Sequence, residues 1–216
     1  MAPGAGIENE KGRAAEAAAE LVEDGMAVGL GTGSTVAYLL PALAKRGLTL
    51  RCVATSPRTE DSARELGIAV EPFGRLERLD IAIDGADQVA PDGWLAKGGG
   101  GAHTREKIVA AAAERFVVIA DSSKQVGSIA APVPLELHGF GMRATLREIG
   151  DVRLRDWPPS PDGGVIADYE GEVGDPAALA ERLAAIPGVV GHGLFPPALV
   201  SDVLIARGGE VERLSF

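Results

Sequence analysis

One cysteine, Cys52, in 216 residues rules out an internal disulfide, and its setting in the apolar run "LRCVA" reads as a buried structural thiol of a reducing compartment. Aromatic residues are also scarce, at 4%, so the core must be built from Ala, Val, Leu and Ile. No apolar run approaches the roughly 18 residues that span a bilayer, and "MAPGAGIENEKGR" has no apolar stretch behind a basic start. Both absences point to a cytoplasmic protein. Positive charge is short as well: 21 Lys and Arg stand against 31 Asp and Glu, a formal net charge of −10. That disfavours nucleic acid, whose binding draws on Lys and Arg at phosphates. A small anion stays open as a partner, because screening over about 8 Å lets a few local lysines set the potential of a pocket. The three histidines, His103, His138 and His192, are scattered singly and read as surface or structural.

Glycine is plentiful, at 29 residues. In the first 125 residues short apolar runs alternate with helical patterns. Strands are expected at 26–30, 50–54, 68–71, 80–84 and 116–120, with helices near 9–23, 35–46, 57–66 and 104–115, the last three opening near a Ser or Thr that could cap them. Such alternation predicts an α/β fold with a mostly parallel sheet covered by helices. After about residue 130 prolines break up strand-like pieces ("VPLEL", "GVIADY") and two amphipathic helices, near 142–149 and 175–186, which suggests a small α+β domain over 131–200. The tail "SDVLIARGGEVERL" regains a buried-strand pattern at 203–206, so residues 201–216 are expected to rejoin the 1–130 domain.

Ligands of open parallel sheets bind beyond the carboxyl ends of the strands. Four expected strands are followed there by small polar clusters: "GTGST" (31–35), "TSPRT" (55–59), "DGAD" (84–87) and "DSSK" (121–124). The first offers backbone N–H groups and the hydroxyls of Thr32, Ser34 and Thr35 at a helix N-terminus, which suits a phosphate or simply makes a capped turn. A dinucleotide fingerprint is weaker, because Gly29-x-Gly31-x-x-Ser34 lacks a third glycine and Thr55 stands where an acid is needed; no Lys follows Gly33 for a Walker loop. "IDGAD" is either a turn or a pair of carboxylates, Asp84 and Asp87, able to accept protons or hold sugar hydroxyls. As a dedicated metal site it is poor, with no further acid or His beside it. "TSPRT" reads as a helix start, with Ser56 as cap and Pro57 at the first position. Lys124 of "DSSK" is either a surface lysine or a cation for an anionic ligand.

The run "AKGGGGAHTREK" (96–107) places Lys97, four glycines and then Glu106 together in sequence. Glycine is the residue most costly to order, and a run without side chains lets a substrate approach the backbone. With Thr104 as N-cap, Glu106 falls in the first turn of a helix, where the dipole favours carboxylate for structure or for catalysis alike.

In order and spacing, "GLGTGST", "IDGAD", "KGGGGAHTREKIV", "VIADSSKQV" and "IPGVVGHGLF" resemble the ribose-5-phosphate isomerase type A family, and the likeness covers nearly the whole chain. The resemblance implies a Rossmann-like α/β domain with helices on both faces, a smaller ferredoxin-like lobe, and a homodimer or higher oligomer. It implies metal- and cofactor-free interconversion of D-ribose 5-phosphate and D-ribulose 5-phosphate in the pentose phosphate pathway. Carried over by motif, Glu106 is the base, and Lys97 with Gly98, Gly99 and Gly100 lines the reacting end. Asp84 and Asp87, with Gly85 and Ala86 between them, contact the sugar. Thr32, Gly33, Ser34, Thr35 and Lys124 complete the binding site, with Lys11 as an addition from the first helix. Gln88 departs from the Glu common in the family, and His103 from a small or aliphatic residue. A non-catalytic sugar-phosphate sensor, an amino-sugar-phosphate deaminase and a coenzyme A transferase share this architecture and remain alternatives.

Overall fold

The computed structural model describes residues 3–216; Met1 and Ala2, the start of the segment searched above for a leader, lie outside the described residues. In chain order the elements begin with α1 (Pro3–Ala19), β1 (Ala27–Leu30), α2 (Val36–Arg46), β2 (Arg51–Ala54), α3 (Pro57–Glu65) and β3 (Leu79–Gly85). The short strands β4 (Gln88–Val89) and β5 (Leu95–Ala96) precede α4 (His103–Ala112) and β6 (Ala113–Asp121). Then come β7 (Val133–Leu137), α5 (Met142–Ile149), β8 (Val152–Leu154), β9 (Val165–Tyr169), α6 (Pro176–Ala184) and β10 (Val189–His192). The chain ends with β11 (Leu194–Phe195), β12 (Asp202–Arg207) and β13 (Glu210–Ser215). Among the described residues no helix is long and apolar enough to cross a membrane.

The chain divides into two compact units, one of residues 1–86, 105–124 and 198–216, the other of 87–104 and 125–197. The first unit holds a six-stranded sheet in the order β13-β12-β6-β3-β1-β2, parallel except for the β12–β13 pair. Its strands are near-continuous apolar runs because both faces are covered. On one face Val28, Leu30, Ile81, Ile83, Val117, Ile119 and Leu204 join the α1 alanines and the α2 stripe Val36, Leu39, Leu40 and Leu43, spaced for one helical face. On the other face α4 lies so close to β1 that a Cβ at Gly29 would strike Val109. At the opening of β12 the buried Asp202 carboxylate accepts from Arg115 (2.8 and 2.7 Å), Arg213 (2.7 Å) and Ser215 (2.8 Å), fastening three neighbouring strands.

The second unit is a ferredoxin-like lobe: β7-α5-β8-β9-α6-β10 form a four-stranded antiparallel sheet in the order β10-β7-β9-β8. Its core joins Leu135, Leu137, Ala167 and Tyr169 to Ile149, Leu179 and Leu183 of the two helices. Asp175 caps α6 by accepting from the Ala177 N–H at 2.9 Å, with Pro176 at the first position. A three-stranded sheet, β11-β5-β4, completes the unit.

Several expectations are corrected here. Residues 68–71 form no strand: one bridge, Cys52 to Val70, forms before Pro72, which has no N–H to continue the ladder. Helix α4 stops at Ala112 rather than 115, because Ala113 and Arg115 already pair with β3. The unit division falls after residue 86 rather than at 130, because β5 pairs with β11 and β4 pairs with β5, neither with the large sheet. Gln88 helps to hold residues 125–130 in the same unit. Its side-chain amide donates to the Ala130 carbonyl (2.7 Å) and accepts from the Ala130 N–H (2.9 Å), a two-way pairing that an ionised Glu could not make.

Candidate active site

In the first unit the site candidates are Thr32, Gly33, Ser34, Thr35, Asp84, Gly85, Ala86, Glu106 and Lys124. The turn after β1 is tied to the end of β3, where Asp84, 2% exposed, accepts through Oδ1 from the N–H groups of Thr32 (3.0 Å) and Gly85 (2.7 Å). Gly31 makes this approach possible, since a Cβ there would fall on the Asp84 carboxylate. Gly33 turns the chain at φ 125°, in the region that favours glycine. The Thr32 hydroxyl joins a triangle with Ser56 (2.9 Å) and Thr59 (3.1 Å), so the β1 turn is also fixed to the start of α3. Ser56 caps α3 as expected, accepting from the Thr59 N–H at 3.2 Å. Thr35 holds the N-cap position of α2 but its side chain makes no capping bond.

Glu106 lies in the first turn of α4, near the positive end of the helix dipole. It shares a buried face with Val109 and Ala110, while Ile108 is 53% exposed, so the carboxylate is carried inward by helical spacing. The helix opens at His103, so Thr104 is not its N-cap as expected, and Glu106 is its fourth residue. Lys124 closes a short 3-10 turn at Ser122–Lys124. Buried Glu10 steadies that turn, its carboxylate accepting from the Ser122 N–H (2.9 Å) and the Gly208 N–H (2.8 Å). Lys11 is ion-paired with Glu8 at 2.8 Å.

The remaining candidates, Asp87, Lys97, Gly98, Gly99 and Gly100, belong to the second unit. Lys97 follows β5 and is 2% exposed, its Nζ 5.4 Å from the centroid of the Phe195 ring, a cation–π contact in a desolvated setting. Its backbone N–H donates to the Gly193 carbonyl at 2.9 Å. The glycine run is a tight turn closed by the Gly101 N–H on the Gly98 carbonyl (3.0 Å), with φ 111° at Gly98 and 75° at Gly101. Its tip, Gly99 and Gly100, is exposed. Asp87 Oδ2 accepts from the Gly99 N–H at 2.8 Å, as Asp84 does from its own neighbouring loop. Each Asp thus commits one oxygen to holding backbone, which the sequence alone did not reveal. Among the described residues no group of three or more His, Cys, Asp and Glu side chains gathers as a metal cage would require.

The family model for ribose 5-phosphate isomerase A (phosphoriboisomerase A) matches residues 51–210. The chain belongs to that family. Ribose-5-phosphate isomerase A of Natronomonas pharaonis is 44% identical over 98% of this chain and 99% of its own length. The solved ribose 5-phosphate isomerase A of Methanocaldococcus jannaschii superposes with a TM-score of 0.90 at 34% identity, over 97% of this chain and 99% of that one. A D-ribose-5-phosphate isomerase solved in complex with phospho-erythronic acid superposes with a TM-score of 0.91 at 33% identity, over 97% and 99% of the two chains.

Within this ribose 5-phosphate isomerase A fold, residues beyond the motifs shape the candidate loops. Ser56 and Thr59 do more than begin a helix, and their place directly after a strand was the available signal. Nothing in the pattern marked Glu10. His138 and His192 accept from the N–H groups of Phe140 (3.1 Å) and Leu194 (3.3 Å), local roles in their own turns. Lys107, beside Glu106, is pushed by desolvation from an ordinary 10.5 down to about 8. Between those values the unfolded chain binds the extra proton, so stability rises with pH across about 8 to 10.5. Urea unfolding of wild type should show that rise, and Lys107→Met should lack it; an unchanged slope in the variant would assign it elsewhere.

Proposed function

We propose that this chain interconverts D-ribose 5-phosphate and D-ribulose 5-phosphate by moving a proton between C2 and C1 through an enediolate, with no metal. Family membership across three of the motifs, "DGAD", "KGGGG…TREK" and "DSSK", is the observation that carries this reading. Glu106 removes the C2 proton and returns it at C1, one carboxylate serving both transfers on one face of the sugar. Lys97 and glycine N–H groups stabilise the enediolate oxygen, and a cation already desolvated there needs little reorganisation as charge develops. Asp84 or Asp87 assists opening of the furanose ring, and the Thr32–Thr35 turn with Lys124 holds the phosphate. A cytoplasmic location, from the lone buried thiol and the want of a long apolar run, and a homo-oligomer with the dimer favoured, from the family resemblance, complete the proposal.

The direct test follows ketose formation from ribose 5-phosphate with and without EDTA. Equal turnover in both is expected. Activity lost with chelator and restored by Mg²⁺ or Mn²⁺ would point to a metal hydride shift. No ketose at all, or ammonia released from an amino-sugar phosphate instead, would overturn the isomerase reading.

A further inference from the structure

Arg155 has no part in the chemistry described so far, yet its guanidinium grips the glycine turn of its own unit. Nη1 donates to the carbonyls of Gly98 (3.1 Å) and Gly99 (3.2 Å). The opposite edge forms a fork with Asp168, Nε to Oδ2 at 2.8 Å and Nη2 to Oδ1 at 2.6 Å. The side chains are only 15% and 4% exposed. Asp168 lies on β9, and Arg155 extends from β8 beside it, its own N–H donating to the Ile166 carbonyl at 3.0 Å. A bidentate fork of this kind is held in one geometry, with Asp168 on β9 and Arg155 one residue past β8 but tied to β9 by its own N–H. Asp168 Oδ2 also accepts from Arg153 Nη2 at 3.2 Å, and Arg153 pairs in turn with Glu170 at 2.6 Å, so two arginines are balanced by two carboxylates and the Arg155 guanidinium serves as a rigid pair of donors and not as a cation for substrate.

The two carbonyls it holds fix more than themselves. In a planar trans peptide the N–H of the next residue points opposite to the C=O. Holding the Gly98 carbonyl therefore aims the Gly99 N–H, which is received by Asp87, and holding the Gly99 carbonyl aims the Gly100 N–H away from Arg155. The turn is hemmed at both ends too: a Cβ at Gly98 would lie 2.6 Å from His103 Nδ1, and one at Gly101 would lie 3.2 Å from Trp157 Nε1. Four glycines have the greatest conformational freedom of any run, and the single internal bond from the Gly101 N–H to the Gly98 carbonyl leaves the peptides at its tip to be fixed from outside the run.

We propose that Arg155, fastened by Asp168, is a positioning residue that sets the Gly98–Gly101 turn so that the Gly100 N–H meets the enediolate oxygen. This rests on the isomerase reading above. Arg155→Met and, as a milder variant, Arg155→Lys should lower kcat on ribose 5-phosphate by about 10- to 100-fold with KM within about twofold, since displacement of a donor by an ångström carries a penalty of that size. Amide hydrogen exchange at Gly99 to Gly101 should quicken in both, while the unfolding midpoint shows the fold retained; should the Met variant not fold, the Lys variant decides by the same criteria. Wild-type kcat, a raised KM at unchanged kcat, or unchanged exchange at the turn would overturn the proposal. Absence of turnover in the wild-type enzyme would instead sink the isomerase reading, and the exchange measurement would still judge the clamp.

Discussion

Glu106→Gln is expected to lower turnover of ribose 5-phosphate by about 10² to 10⁴-fold, the range lost when a general base is removed. The substitution keeps the size and planarity of the side chain, and the residue is 3% exposed on a helix face otherwise filled by Val109 and Ala110. Packing is therefore nearly unchanged, and the variant should unfold close to the wild-type midpoint. An amide neither accepts the C2 proton nor returns it at C1, so the loss should fall on kcat while KM changes little. Near-normal turnover in a folded Glu106→Gln enzyme would remove Glu106 from the chemistry.

Gly31→Ala should be nearly as damaging, for a steric reason. The added methyl would coincide with the carboxylate of Asp84, which cannot swing aside without releasing the N–H groups of Thr32 and Gly85. Overpacking of this kind costs about 1–3 kcal/mol of stability. Displacing Asp84 and the adjoining turn should lower activity by about 10²-fold, as misplacement of a positioned group does. Backbone strain is not the cause, because Gly31 is outside the positive-φ glycines, unlike Gly33 at 125°. A double-mutant cycle separates the two explanations: with Asp84→Gly present, Gly31→Ala should add little further destabilisation. A full, additive penalty in that background would show that the methyl meets some other obstacle.

The pattern of the sequence exposed the large sheet well, because strands covered on both faces must be continuous apolar runs. Beta13 shows the limit. Its residues are mostly exposed on the edge of the sheet, so "EVERLS" carries no buried period to detect. The two-residue strands β4 and β5 are too short for any period, which is why the glycine run was assigned to the larger domain. Polar clusters after four of the strands, with the glycine run before α4, supplied the candidate site residues that are proposed here, and glycines without side chains marked where chains come close. Partners supplied by distant sequence were invisible: Asp87 for the Gly99 N–H is 12 residues away, and Arg155 for the Gly99 carbonyl is 56. Hydrogen-bond geometry across such gaps is set by the assembled fold and leaves no local spacing to read.

The place of β12, between β6 and β13, has a consequence for synthesis on the ribosome. Every strand of the ferredoxin-like lobe has been made once residue 197 is added, whereas the parallel sheet still lacks its last two. Until those residues emerge, β6 presents the unpaired edge of residues 117–121, with Val117, Val118 and Ile119, to solvent or to any chaperone waiting there. Emergence of residues 198–216 thus determines when the nascent chain covers that edge.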